Sequence, residues 1–178
     1  MTYNWIYDLK ESDNMRTGKV IDAMIGYYAK DARRINHFLK VYGFSKSIGE
    51  MEGLDERTQE ILEITAVTHD IGIKISEEKY GNCSGANQQA EGPPEARKLL
   101  LELGFEDELV ERVCFIISRH HTYKDIHGLD YQILVEADFL VNAFEDSMSE
   151  TAIRSFREKV FRTGTGKRFL ENLYGKID

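Results

Sequence analysis

The chain has 178 residues, the size of one domain, with 42% hydrophobic and 30% charged side chains, a balance that excludes disordered, collagen-like and membrane-embedded classes. Its formal net charge of −8 argues against nucleic-acid polymers as partners, because their polyanionic backbone would be repelled, but leaves room for a small anionic substrate in a locally basic pocket. No run is apolar for long enough to span a bilayer, and no basic amphipathic face stands out for lying on one, so no membrane partner is expected.

Residues 1–16 read as an N-terminal extension in which Asp8, Lys10, Glu11 and Asp13 interrupt any secretory apolar run. The two cysteines, Cys83 and Cys114, are too far apart for a Cys-x-x-Cys motif, and the expected setting is the reducing cytoplasm. With 2 prolines, adjacent at Pro93 and Pro94, and no strand-like alternation, the pattern is a series of helices joined by glycine-containing loops.

Helices are predicted at about 17–30, 32–44, 55–73, 93–104, 106–121, 130–145, 149–162 and 166–174. Asp55 and Asp130 carry helix-start signals, and Gly43, Gly72, Gly104, Gly128 and Gly164 fall near helix ends, where a residue tolerating positive φ is favoured. The polar, aperiodic segment 74–92 is predicted as a long loop. The fold class is all-α, a single-domain helical bundle. The tail 146–178 is expected to pack on it, and its Thr163-Gly164-Thr165-Gly166-Lys167 run is too short, and lacks the preceding strand, for a phosphate loop.

Chemistry enters through polar residues on apolar faces. His69 shares a face with Leu62, Ala66 and Ile73, and Asp70 follows it. Asp138 shares a face with Tyr131, Leu134 and Val141, so its carboxylate points inward, where an unpaired charge costs several kcal/mol. No Lys or Arg stands three or four residues away on that helix. His37 sits on the rim of a face formed by Ile35, Phe38, Leu39 and Tyr42.

Two imidazoles and two carboxylates from three helices can half-surround a divalent ion and leave positions open for water and substrate. Such an ion would acidify water and polarise a phosphoryl oxygen, which is what phosphoester hydrolysis needs. His120 and His121 both lie on apolar faces, and spacing does not choose between them. His127, beside Gly128, reads as surface.

These residues resemble the HD-domain phosphohydrolase superfamily, whose motif is a His, a His-Asp pair and a later Asp on a helical scaffold. The matching contexts are Arg-Arg-Ile-Asn-His at His37, Thr-His-Asp-Ile-Gly at His69, Arg-His-His-Thr at 119–122 and Val-Glu-Ala-Asp-Phe-Leu at Asp138. The likeness covers about residues 17–145 and is greatest to members with a His-Thr pair before the last Asp, such as the bacterial dinucleoside tetraphosphate hydrolases.

The resemblance implies a metal-dependent phosphohydrolase cleaving a phosphate ester or anhydride of a nucleotide by a metal-activated water. The metal, one divalent ion of Mn, Fe, Co, Ni or Zn, would be held by His37, His69, Asp70 and Asp138. Arg33, Lys74, Arg119, His120 and His121 are the substrate-contact candidates, and Asp70, Lys74 and His121 the catalytic ones.

Two departures stand out. Where such members carry a further histidine the chain has Gln88, which disfavours a second metal unless Glu91 supplies an oxygen. Ile73 stands where lysine is usual, with Lys74 just after it. These departures motivate an alternative, a non-catalytic HD-type module binding nucleotide or metal in signalling; a purely structural bundle is a third reading. Homodimerisation through an aromatic such as Trp5 or Tyr174 is a further expectation.

Overall fold

The computed structural model describes residues 13–175, with side chains from Arg16 onward; the predicted extension 1–16, including Trp5, lies almost wholly outside the described residues. Among the described residues are nine helices and no strand: α1 (Asp13–Tyr27), α2 (Ala32–Glu52), α3 (Glu56–Thr68), α4 (Gly72–Tyr80), α5 (Gly85–Glu102), α6 (Asp107–Ile117), α7 (Leu129–Glu145), α8 (Glu150–Val160) and α9 (Gly164–Tyr174). None is long and apolar enough to cross a membrane.

Helices α3 and α7 form the centre. Most residues of each are buried, because α2, α1, α6 and α9 pack around them. The starts follow local chemistry: the Asp31 carboxylate accepts from Arg34 N at α2 and the Asp55 carboxylate from Thr58 N at α3, each satisfying an amide that the helix itself leaves unpaired.

Several predicted boundaries differ: the helix expected over 32–44 runs on to Glu52, with Gly43 inside it rather than near its end, and the one expected over 106–121 stops at Ile117. The helix expected over 55–73 ends at Thr68, and a tight turn at His69–Ile71 separates it from α4. The turn is made by i→i+3 bonds, Ile71 N to Thr68 O at 2.9 Å and Ile73 N to Asp70 O at 2.9 Å. At the end of α1, Tyr27 donates to Ile71 O at 3.2 Å, and Tyr28 just beyond it donates to Asp70 O at 2.6 Å, so the turn carbonyls find partners outside their own helix.

The loop expected over 74–92 is instead α4 and most of the first half of α5, with only 81–84 between them. Ser84 caps α5 by accepting from Asn87 N, and Pro93 and Pro94 lie inside the helix. The polarity misled because α4 and α5 bury narrow stripes. Close approach is possible where both carry glycine: a Cβ on Gly72 would lie 2.7 Å from Gly92 N.

The tail packs through a buried acid. Glu136 of α7 accepts from Gln132 Nε2 at 2.7 Å, Arg162 N at 2.6 Å, Thr163 N at 3.0 Å and the Thr163 hydroxyl. The Thr-Gly-Thr-Gly run therefore wraps an internal carboxylate, and a Cβ at Gly166 would lie 2.0 Å from Glu136 Oε2. Tyr174 is partly buried and donates to Leu140 O at 2.9 Å, so it serves α9 docking rather than standing out as an exposed aromatic.

Candidate metal centre

Two helices and two turns converge at one point. His37 comes from the first third of α2, His69 and Asp70 from the turn after α3, Asp138 from the middle of α7 and His120 from the turn after α6. His37 Nε2 lies 3.2 Å from Asp138 Oδ1 and 3.5 Å from Asp70 Oδ2. His69 Nε2 lies 3.5 Å from both Asp138 Oδ1 and Asp70 Oδ2, and His120 Nε2 lies 3.7 Å from Asp70 Oδ1.

Each of these imidazoles is held from behind. His37 Nδ1 meets Glu145 Oε2 at 3.0 Å, His69 Nδ1 meets Ala66 O at 2.9 Å, and His120 Nδ1 meets Ile117 O at 2.7 Å. A carbonyl can only accept, so Nδ1 of His69 and His120 carries the proton, and each Nε2 turns a lone pair toward the centre when the ring is neutral. Those three Nε2 atoms are buried without a hydrogen-bond partner.

That donor set fits a divalent cation. Buried polar atoms left unpaired are costly, and three lone pairs facing two carboxylates are what a borderline metal ion coordinates. His37, His69 and Asp70 offer ligand atoms all within 4.8 Å of one another, and Asp70, His120 and His121 form a second such group.

The same geometry couples the titration of the acids and imidazoles. Burial pulls His69 down, but the nearby carboxylates of Asp70 and Asp138 outweigh it and raise its pKa to about 9. His37 is likewise raised against its burial, chiefly by Asp138. Burial favours neutral acids at Asp70 and Asp138, yet the imidazoles hold both well below the usual carboxylate range. His121 goes the other way, to about 4, through burial and then the charge of His120.

The four sequence-derived donors His37, His69, Asp70 and Asp138 thus meet. Of the remaining candidates, Arg33 and His121 line the cavity, and His120 is buried against Asp70 with 2% exposure. Lys74 does not reach: it is exposed, its Nζ 5.0 Å above the Tyr27 ring and 3.4 Å from Tyr27 O. Arg119 is exposed over the Phe115 ring. Glu91 is turned to Lys79 Nζ and the Tyr80 hydroxyl, each at 2.6 Å. The helical register of α4 and α5, which the loop expectation did not contain, carries Lys74 and Glu91 outward.

Three residues of the lining, Arg34, Asn142 and Glu145, were not picked out as site residues in the sequence, and Gln88 was noted there only in place of a histidine. Arg34 is fixed by Asp31 at 2.9 Å and Glu77 at 2.6 Å. Asn142 donates to Asp138 Oδ1 at 2.9 Å, and Glu145 holds His37 and pairs with Lys40. Asn142 and Glu145 stand four and seven residues after Asp138, one and two turns along the same face, a spacing that could have found them. Gln88 meets His121 Nε2 at 3.3 Å and donates to Cys83 O at 2.8 Å.

The cavity above the centre has a volume of about 510 Å³, within the range of roughly 300–1,000 Å³ typical of small-molecule sites. Comparison with known proteins places it in a family. The family described as HD domain matches residues 34–154. This chain belongs to the HD-domain family. A crystal structure of a predicted HD superfamily hydrolase from an uncultured Thermotogales bacterium is similar to it, with a TM-score of 0.60 and 26% identity over 90% of this chain and 84% of that one. No curated protein matches significantly. Family and fold together support a metal-dependent hydrolase in general terms.

Proposed function

We infer that this HD-domain protein is a phosphohydrolase that cleaves a phosphate ester or anhydride, with a nucleotide as substrate, in the cytoplasm. The observation that carries this reading is the trio of buried, unpartnered imidazole Nε2 atoms facing Asp70 and Asp138 at the floor of an open cavity. His37, His69, Asp70 and Asp138 would hold one divalent ion of Mn, Fe, Co, Ni or Zn. When bound, such an ion supplies acidified water and polarisation of a phosphoryl oxygen.

The chain's own groups do the rest. Glu145 and the carbonyls of Ala66 and Ile117 set the tautomers and orientation of the imidazoles. Arg33, 78% exposed in its side chain and 4.0 Å from Asp146, swings over the mouth to meet phosphate oxygens, and Arg34, pinned by its two acids, offers a preorganised planar donor. His121, neutral at neutral pH, orients substrate as a hydrogen-bonding group beside Gln88.

One ion is proposed rather than two because an amide, Gln88, and not a third imidazole flanks the Asp70, His120 and His121 group. The free thiols of Cys83 and Cys114 support the reducing compartment. The test is metal content by elemental analysis, then phosphate release from a nucleotide panel with Mn2+, Co2+, Fe2+ or Ni2+. Phosphate release supports the reading. A stoichiometric ion without turnover on any nucleotide marks a binding module instead, and no ion at all overturns the reading.

A further inference from the structure

Beside the metal cavity lies a second, smaller recess of about 180 Å³, walled by Tyr123, Val135, Phe139, Met148, Ala152 and Phe156. It shares Tyr123, Asp138, Asn142 and Met148 with the metal cavity, so the two abut at Asp138. Phe156 stacks on Phe139 with centroids 3.7 Å apart and planes at 8°, and meets Tyr123 edge to face at 4.9 Å. Apart from Asp138 and Asn142 at the shared wall and the phenol of Tyr123, the lining is apolar.

We propose that this recess receives the flat aromatic part of the substrate, a nucleobase, while the phosphoryl group sits at the metal centre. This rests on the phosphohydrolase reading and narrows its substrate class. Aromatic walls favour a ring through edge and face contacts, and the Met148 thioether adds a polarisable contact. Asn142 at the junction donates to Asp138 and, as an amide, also has an acceptor oxygen that can read a ring amino group.

Charge selects the rest of the substrate. The metal cavity is edged by three acids, Asp31, Glu145 and Asp146, against two cations, Arg34, which already answers Asp31 and Glu77, and Arg33, which faces Asp146 at 4.0 Å. An extended polyphosphate would place several further negative charges against those acids, whereas a monoester places two beside the ion. The recess and the charge distribution together point to a nucleoside monoester.

Ala152 is exposed on α8, so a phenyl ring there fills the recess without disturbing the core. The experiment compares adenosine 5′-monophosphate with ribose 5-phosphate, which differ only in the base, in wild type and Ala152→Phe with Mn2+. The two readouts are kcat/KM and equilibrium binding of adenosine 5′-monophosphate. Wild type should prefer the nucleotide by at least about tenfold, and Ala152→Phe should cut that preference about tenfold.

Equal kcat/KM for the two substrates in wild type, or a preference that survives Ala152→Phe, overturns the proposal. If neither substrate is hydrolysed but nucleotide binding is present and weakens about tenfold in Ala152→Phe, the recess stands and the hydrolase reading falls. Absence of both turnover and binding removes both.

Discussion

Among the acids that helix α7 buries, Glu136 and Asp138 stand two residues apart, and their surroundings are opposite. Glu136, fully buried, collects four hydrogen bonds from Gln132, Arg162 and Thr163. Asp138, 7% exposed, receives one from Asn142 and otherwise faces imidazole Nε2 atoms that have no hydrogen-bond partner. A buried carboxylate whose lone pairs are met by amides and hydroxyls is complete as protein. One surrounded by other groups' lone pairs is complete only with a cation. The contrast separates a structural acid from a metal-binding acid without reference to position in a motif.

The comparison can be broken most directly at Asp138. Asp138→Ala should abolish metal binding and lower phosphate release by at least about a hundredfold while the helical circular-dichroism signal persists; unchanged metal stoichiometry would sink the site. Next comes Glu136→Ala, which leaves Arg162 N and Thr163 N buried and unpaired and should cost about 3 kcal/mol, lowering Tm by about 10 °C. Metal content of the folded variant should not change, and loss of the ion together with stability would erase the distinction.

A smaller effect sharpens it. Glu145→Ala removes the acceptor behind His37 without touching a donor, and should weaken metal affinity by about tenfold, read by chelator competition. An unaltered affinity would mean that α2 packing alone orients the ring. Smallest of all, Lys74→Ala and Arg119→Ala should leave kcat/KM within about twofold, because both cations lie over aromatic rings outside the cavity. A loss above tenfold in either would restore them to the site.

How far each element was legible follows from the range of the interactions behind it. The helical class and the inward faces of His69 and Asp138 depend on 3.6-residue periodicity, a local property. The donor quartet was legible because His69 and Asp138 on apolar faces demanded an explanation, and the HD-domain resemblance joined Asp70 and His37 to them. The turn at His69–Ile71 was hidden because its carbonyls are satisfied by Tyr27 and Tyr28, about 40 residues away in sequence.

The same applies to α4 and α5. Their glycines and polar residues read as loop, yet contact between Gly72 and Gly92 is what makes them helices side by side, and no local window contains both. Once that register was missed, Lys74 and Glu91 were misplaced with it. Both His120 and His121 reach the site, His120 held toward Asp70 by Ile117 O and His121 beside Gln88, an arrangement that periodicity does not resolve.

The phenol pair of Tyr27 and Tyr28 has an engineering consequence. The family match spans residues 34–154 and includes every proposed ligand, yet the hydroxyls gripping the Asp70 and Ile71 carbonyls precede it, and the Arg162 and Thr163 amides clasping Glu136 follow it. An excised fragment trimmed to those limits would keep its chelating groups but lose bracing at both ends. The mechanical unit that keeps the chelate rigid is therefore larger than the stretch by which its kinship is recognised.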